Sequence, residues 1–490
     1  MESKGKCVFG IRARVAAFWG VAVIALFVVL ICQALHSDKT DRLSDTVIDM
    51  SVTDYEDEPE KIPITGSTEQ EENTGKDPMS DNHEESDDQT ANVIKESPGE
   101  NSENRDIPRV NFLKQNEDYE VIPDKYNCGA KGNLTKVGIS DTVNGVKLKE
   151  SGGINSFDFC YINKSIEGET YFTDYDFSEH IVAVYNADAI DREITLVFDN
   201  CKFSTFRSLA NLRNIRLVFR NCTFNSFLGC CADFEHCKFG DSYTDGIVPF
   251  HDVFVKDCYI SNFSSRDEKG TGVHTDGTQL YGKEGMDVKN VRYEHCRFEV
   301  PCIPGTNEIN ACIMLQMEYS NGIDISFNNC ICNGGGYTLY ALSKDKGFKY
   351  YENVSISNIA VGQSRKYGSL YPVVSEGVEI SNIYDIDSLY VASVWKENGK
   401  THMSVTNDTL QLRKLVVNAD GVTYTYDIPP GKGGEKDHYD RFEDYPFDID
   451  ICIDSDCRYI VCFDQTSGED KQIRFVTWDG SDSISIPCEE

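Results

Sequence analysis

Between Ile194 and Ile383 the apolar residues fall at alternate positions in short runs, and each run closes on a polar residue followed by a small apolar one. Ile194, Leu196 and Phe198 lead to Asn200 and Cys201; Ile215, Leu217 and Phe219 lead to Asn221 and Cys222. Alternation with period two predicts strands with one buried face. The pattern recurs as ITLVFDNCKF ending at Phe203, IRLVFRNCTF at Phe224, FEHCKF at Phe239, VFVKDCYI at Ile260, VRYEHCRF at Phe298, IDISFNNCIC at Cys332, VSISNIAV at Val361 and VEISNI at Ile383. Aligned, these give one column of Asn200, Asn221, His236, Asp257, His295, Asn329, Asn358 and Asn382. The next column reads Cys201, Cys222, Cys237, Cys258, Cys296, Cys330, Ile359 and Ile383. Intervals of 15 to 38 residues suit coils of fixed core and variable loops. No coil alone buries its apolar face, but coils stacked in parallel do, with like residues about 4.8 Å apart. A short amide side chain tolerates the bend at the corner and hydrogen-bonds its equivalent one coil above.

This asparagine ladder beside stacked apolar columns resembles the pectate-lyase-like superfamily of right-handed parallel β-helices, over roughly Tyr119 to Ile386. The resemblance implies an all-β chain whose parallel β-helix occupies residues 119–386. After Ile386 the ladder stops. HMSVTND, LQLRKLVVNA, VTYTYDI, FDIDICI and RYIVCFD read as short strands between Asp-Gly, Gly-Gly and Pro-Pro turns, so residues 387–490 are expected to form a small antiparallel, β-sandwich-like accessory domain. Trp395, Trp478 and several Tyr there offer stacking faces for sugars, although core packing uses the same residues.

The N-terminal quarter has a different composition. Val15 to Leu35 carries no charge and is long enough to cross a hydrocarbon core of about 30 Å. A cleaved signal peptide would need a shorter apolar core and a small-x-small site, and a lipidated Cys32 would need a small residue where Ile31 stands. Residues 15–35 are therefore expected to be a transmembrane signal-anchor. Lys4, Lys6, Arg12 and Arg14 precede it, placing residues 1–14 in the cytoplasm and everything after His36 outside the cell membrane. Residues 36–118 are rich in Asp, Glu, Ser, Thr and Asn and nearly free of aromatics, the composition of a disordered linker. This stretch supplies roughly half of the formal net charge of -34, and self-repulsion extends it. No basic patch stands against that acidity, which argues against a nucleic-acid partner.

The chain has 19 cysteines. The column positions want a small apolar residue, so stacked buried thiols are the first expectation and disulfides the alternative. No Cys-x-x-Cys pair occurs with a second pair at finger spacing, which argues against a structural zinc site. For Cys452, Cys457 and Cys462 a disulfide and free thiols are equally open.

Two consecutive ladder intervals are the longest, Cys258 to Cys296 and Cys296 to Cys330, and their loops should flank one groove. The first holds SSRDEKGTGVHTDGTQLYG, where His274 and Asp276 alternate with Val273 and Thr275 and are expected to share an outward face. Gln279 follows; the next coil offers Asn310 and Gln316, and the one after Asn333, Tyr337 and Tyr340. The set looks like a pattern in exported members of the superfamily: a His-x-Asp-Gly-x-Gln strand, then an Asn and a Gln, then Gly-Gly-Tyr. That resemblance implies a glycan-facing surface, with a polysaccharide as partner. His274 and Asp276 are the candidate catalytic residues, with Arg266, Asp267, Lys283 and Glu294 as possible acid or base partners; Gln279, Asn310, Gln316, Asn333, Tyr337 and Tyr340 are the candidate substrate contacts. A lyase needs a cation and a base, for which Asp276, Asp267 and Asp257 are candidate calcium ligands. A glycosidase needs two carboxylic acids, for which Asp276 with Asp267 or Glu294 are candidates. Each also has a structural reading: Asp-Gly is an ordinary turn dipeptide, and Asn and Gln are common loop hydrogen-bonders. The Trp-x-Asp-His and Arg-x-Pro-x-x-Arg motifs of classical pectate lyases are missing, as is the Asn-Thr-Asp, Gly-His-Gly and Arg-Ile-Lys set of polygalacturonases. The expectation is a polysaccharide lyase or glycosidase, with a non-catalytic glycan-binding or adhesive surface protein as the alternative.

The anchor reading has a direct check. Protease added to intact cells should release a fragment that begins in the acidic segment; recovery of the whole protein from the medium would contradict it.

Overall fold

The computed structural model describes residues 122–473 apart from short stretches, 159–167, 185–191 and 344–349 among the longest. The apolar span 15–35, the acidic segment 36–118 and Trp478 lie outside the described residues. What is described is all-β, with one long sheet of 24 strands, parallel apart from the pairing of Lys149–Glu150 with Ser156–Asp158, and several small antiparallel sheets.

The chain winds so that each strand pairs with its equivalent in the next turn. One stack runs through Gly168–Thr173, Ile194–Asp199, Ile215–Arg220, Ala232–Glu235, His251–Lys256 and Val288–Glu294. It continues through Gly322–Gly334, Tyr351–Val361 and Val378–Asp385. Past the corner a second stack begins with Lys202–Ser208 and Thr223–Gly229, and a third contains Ile247–Pro249, Asp276–Leu280, Ala311–Met317, Tyr337–Ser343 and Gly368–Leu370. The arrangement is compatible with a parallel β-helix. Like falls on like: Phe172, Phe198, Phe219 and Phe234 stack at 4.7, 5.1 and 4.9 Å, and Phe177, Phe203, Phe224 and Phe239 at 5.1, 5.0 and 5.0 Å. Each pair buries two aromatic faces in offset contact, and the column fills the core at close packing.

The polar column has a backbone cause. Asn200, Asn221, His236, Asp257, His295, Asn329, Asn358 and Asn382 all adopt positive φ, between 50° and 56°. Among L-residues, Asn and Asp tolerate this left-handed corner best. Asp174 is one further rung, accepting from Asn200 Nδ2 at 2.6 Å, and Asn382 Nδ2 donates to Asn358 Oδ1 at 2.6 Å. A second ladder, not read from the sequence, stands at the opposite end of the first stack. Asp252, Asn290, Asp324 and Asn353 share positive φ, with Asn290 donating to Asp252 at 2.7 Å and Asn353 to Asp324 at 2.6 Å. The six column cysteines are free and buried, as stacked thiols.

Two features close the stack. The segment from Asp124 to Val137 crosses successive coils beside the first ladder: Gly129 N donates to His236 O, Lys131 N to Asn200 Oδ1, and Thr135 N to Asp174 O. Beyond Val378–Asp385 the pairing turns antiparallel, in a three-stranded sheet of Leu389–Glu397, Lys400–Asn407 and Asp448–Ile453 and a four-stranded sheet around Arg413–Ala419 and Ile460–Asp464. The two sheets share one apolar core that includes Val391, Met403, Leu415, Val417 and Ile451. Cys452, Cys457 and Cys462 are free thiols, with Cys452 exposed and Cys457 buried, so no disulfide joins them. Trp395 stacks on His402 at 5.3 Å and lies 4.9 Å from Tyr126, a packing role.

The ladder geometry predicts an inversion of the usual ranking of Ala and Gly. Asn329 donates from Nδ2 to Glu294 Oε1 at 3.0 Å with φ of 51°. Asn329→Ala should destabilise by about 1–2 kcal/mol in thermal or urea unfolding, because Ala is strained there, whereas Gly is not and should cost less. Equal or reversed losses would show that the corner conformation does not set the cost.

Candidate functional site

Thr244-Asp245-Gly246 and Thr275-Asp276-Gly277 repeat the same tripeptide 31 residues apart. Because Ile247 pairs with Thr278, the two aspartates are neighbours on adjacent coils. Asp276 N donates to Asp245 Oδ1 at 2.8 Å, and Gly246 N to Asp276 O at 3.0 Å. An oxygen of each carboxylate and a ring nitrogen of His274 lie within 4.8 Å of one another. From the next coil, Asn310 Nδ2 donates to His274 Nε2 at 2.8 Å and to Asp276 Oδ1 at 3.3 Å. His274 Nδ1 stands 3.3 Å from Asp276 Oδ2, yet no well-formed hydrogen bond reaches that buried oxygen.

Burial divides the roles. The His274 side chain is 54% exposed and that of Asp276 is 0%, so the outward orientation expected for both holds only for the histidine. The reason is local: the strand proper begins at Asp276, and the corner before it turns Asp276 to the same buried side as Thr278 and Leu280. Burial lifts the Asp276 carboxyl to about 8, against the opposing hydrogen bonds from Asn310 and Ala311 N–H. Asp245, half-buried, is raised to about 7 by burial and by Asp276, opposed by His274 and the Asp276 N–H. A carboxyl that stays protonated near neutrality is a proton donor, and one that titrates there exchanges protons either way.

Beside these groups lies an aromatic patch. Tyr337 packs within 5.6 Å of Tyr340, 5.3 Å of Tyr367 and 5.2 Å of Tyr371, while Tyr340 and Tyr371 stack at 5.0 Å. Tyr367 is 63% exposed. The patch reaches the acids through the backbone: Asn310 N donates to Thr275 O, Gly336 N to Asn310 O, and Tyr367 N to Gly336 O. Burial, then Asp276, raise the Tyr340 hydroxyl far above its ordinary range.

The remaining sequence candidates divide. Gln279 pairs in register with Met314 and Met314 with Tyr340, so Gln279 shares the row of the tyrosines; Gln316 lies opposite Leu342, further along the strand. Asn333 is fully buried, donating to Glu299 at 2.8 Å and accepting from Ser364 N at 3.0 Å, and belongs to the interior. Asp267 accepts from Lys269 N and Thr271 N in its own loop, where Arg266 pairs with Gly272; Lys283 pairs with Met286 in a tight turn. Glu294 accepts from Asn328 and Asn329, and Asp257 sits in the ladder beside His295. Asp257, Asp267 and Asp276 thus keep separate partners and do not form the three-acid calcium set. Asp276 finds its second carboxylate in Asp245, not in Asp267 or Glu294. Asp245 was missed because its coil is short; the repeated Thr-Asp-Gly was the available signal.

No protein-family model, curated protein or solved structure matches this chain.

The raised acids give a signed dependence on pH. Asp276 holds its proton in the folded chain up to about 8 but releases it near its ordinary 3.8 when unfolded, so its contribution is full below about 3.8 and is lost as pH rises through about 8. Asp276→Asn removes that loss. Between pH 4 and 8 its stability should fall less than that of the wild type, with a difference of at least about 1 kcal/mol at pH 8; parallel stability profiles would place the carboxyl in a solvated setting instead.

Proposed function

We propose that this chain is a membrane-anchored extracellular protein acting on a polysaccharide by general acid–base chemistry, built as a right-handed parallel β-helix of the pectate-lyase-like kind with a β-sandwich-like accessory domain over residues 387–490. One observation carries the reading: two carboxyl groups and a histidine converge beside an open tyrosine patch, with both carboxyls titrating near neutrality. Asp245 and His274 are the groups a substrate can reach. Asp276, buried and protonated, is a positioning residue: its Oδ1 shares the Asn310 amide with His274, and its N–H is donated to Asp245. Tyr367, with Tyr337 and Tyr371 behind it, offers a sugar the apolar face and hydroxyl rim that pyranose rings pack against.

Hydrolysis of a neutral glycan fits better than β-elimination from a polyuronate. An acidic substrate is repelled by a chain of net charge -34. The alternative, a non-catalytic glycan-binding surface protein, would use the tyrosine patch alone.

The test is incubation of the purified full-length chain with a glycan panel, following reducing ends, unsaturated-product absorbance and retention. Reducing ends without unsaturated product support the reading; unsaturated product redirects it to a lyase. Asp245→Asn should lower turnover at least about 100-fold, while Tyr367→Ala should weaken binding several-fold with turnover at saturation kept. Retention without cleavage leaves a binding module, and neither signal on any glycan overturns the proposal.

A further inference from the structure

A separate cluster lies at the head of the second ladder. In register, Cys231 precedes Asp252, which precedes Asn290, Asp324 and Asn353. Like them Cys231 has positive φ, 56°, a conformation a thiol side chain does nothing to favour. The sulfurs of Cys230 and Cys231 and a ring nitrogen of His251 lie within 4.8 Å of one another. All three are held by backbone. Cys230 N donates to Ser208 Oγ at 2.7 Å, Ser208 Oγ donates to Cys230 O at 2.6 Å, and Cys231 N donates to His251 O at 3.0 Å. His251 Nδ1 is 2.8 Å from Asp252 Oδ2, whose other oxygen accepts from Asn290 at 2.7 Å. A carboxylate on Nδ1 fixes the tautomer that leaves the Nε2 lone pair free to bind, the arrangement found behind metal-ligating histidines.

We propose that Cys230, Cys231 and His251 bind a thiophilic divalent metal ion of the zinc class, with Asp252 orienting the imidazole. Two thiolates and an imidazole are the donors such an ion prefers, and three protein ligands leave a fourth tetrahedral position for water. The two thiols release their protons to solvent on binding. Finger spacing does not reveal this site, because the third donor comes from the next coil. His251 is the partly exposed donor of the three, the two cysteines being buried, and Asp252 beside it lines a surface pocket with Arg216, Val253, Phe254, Asn290 and Arg292. The ion would fasten two adjacent coils where the ladder begins with a residue unable to form its amide rung.

The test uses the full-length chain, reduced, stripped with chelator and titrated with Co²⁺. One equivalent should produce a thiolate-to-cobalt charge-transfer band that Zn²⁺ displaces. Asp252→Asn keeps the ladder's own residue type, so the coil should stay intact while affinity falls about 10–100-fold; Cys231→Ser or His251→Ala should abolish the band. Cys452→Ser, which removes the exposed thiol beside His402, should leave it unchanged. Should the cysteine or histidine variants unfold, Zn²⁺ must still protect Cys230 and Cys231 of the wild type from alkylation, read by mass spectrometry. Failure of that protection, no charge-transfer band, a band that survives His251→Ala, or loss of the band in Cys452→Ser would each overturn the proposal.

Discussion

The left-handed corner is the constraint on which the rest of the structure depends. A strand with period two keeps its apolar face inward only if every coil turns at the same residue, because a slip of one position exposes the whole set. The corner at Asn200, Asn221, Asp257 and their equivalents makes that turn in a single residue of positive φ. Its side chain then bonds the coil next to it, as between Asn200 and Asp174. Register is thus enforced at the corner, and the phenylalanine columns follow from it.

A second constraint operates where the parallel stack meets the antiparallel sheets. Arg297 is fully buried between Tyr259 and Tyr390, 5.1 and 5.4 Å from their ring centres, and bonds Glu299 at 2.8 Å, Asp448 at 2.8 Å and Thr406 at 3.0 Å. Asp124 and Asp408 are also buried nearby, so acids outnumber the single guanidinium. Asp408 is pushed well above its ordinary value by burial and then by Glu299, the response of a carboxyl that stays neutral where it cannot be paired. Such a cluster adds little net stability against an apolar equivalent, but it is strict about geometry: removing the cation alone strands buried charge at a cost of about 3–5 kcal/mol. It therefore favours one docking of the sheets on the stack.

How much was legible follows from which features are local. Each corner announces itself through a polar residue before a small apolar one, so the first ladder and its buried thiols were readable at Asn200-Cys201 and Asn221-Cys222. His274, Asn310, Tyr337 and Tyr340 were placed on neighbouring coils by their positions in consecutive repeats, and His274 and Asn310 do meet. Burial at a strand's first residue was not readable: alternation counted back from His274 puts Asp276 outward, while the bend into Asp276–Leu280 turns it in. Asn333 failed for the opposite reason, since its partners Glu299 and Ser364 come from coils and loops that no periodicity links to it.

Departures from the ladder's own chemistry separate structure from function more sharply than loop length does. An amide rung bonds its neighbour and fits the corner at once, so any other residue there gives up part of both. His236 and His295 keep a polar ring in the first ladder, and His295 bonds Asp257 in place of an amide, so the rung is preserved with altered chemistry. Cys231 preserves neither the bond nor the preference for positive φ, although Asp or Asn would supply both. Asp276 departs in another way, burying a carboxyl with one oxygen unbonded. Local rules broken without structural return are where a rigid scaffold holds groups for a ligand. Among the described residues the Asp245–His274–Asp276 cluster and the head of the second ladder both meet that criterion, and loop expansion at Cys258–Cys296 points to only the first.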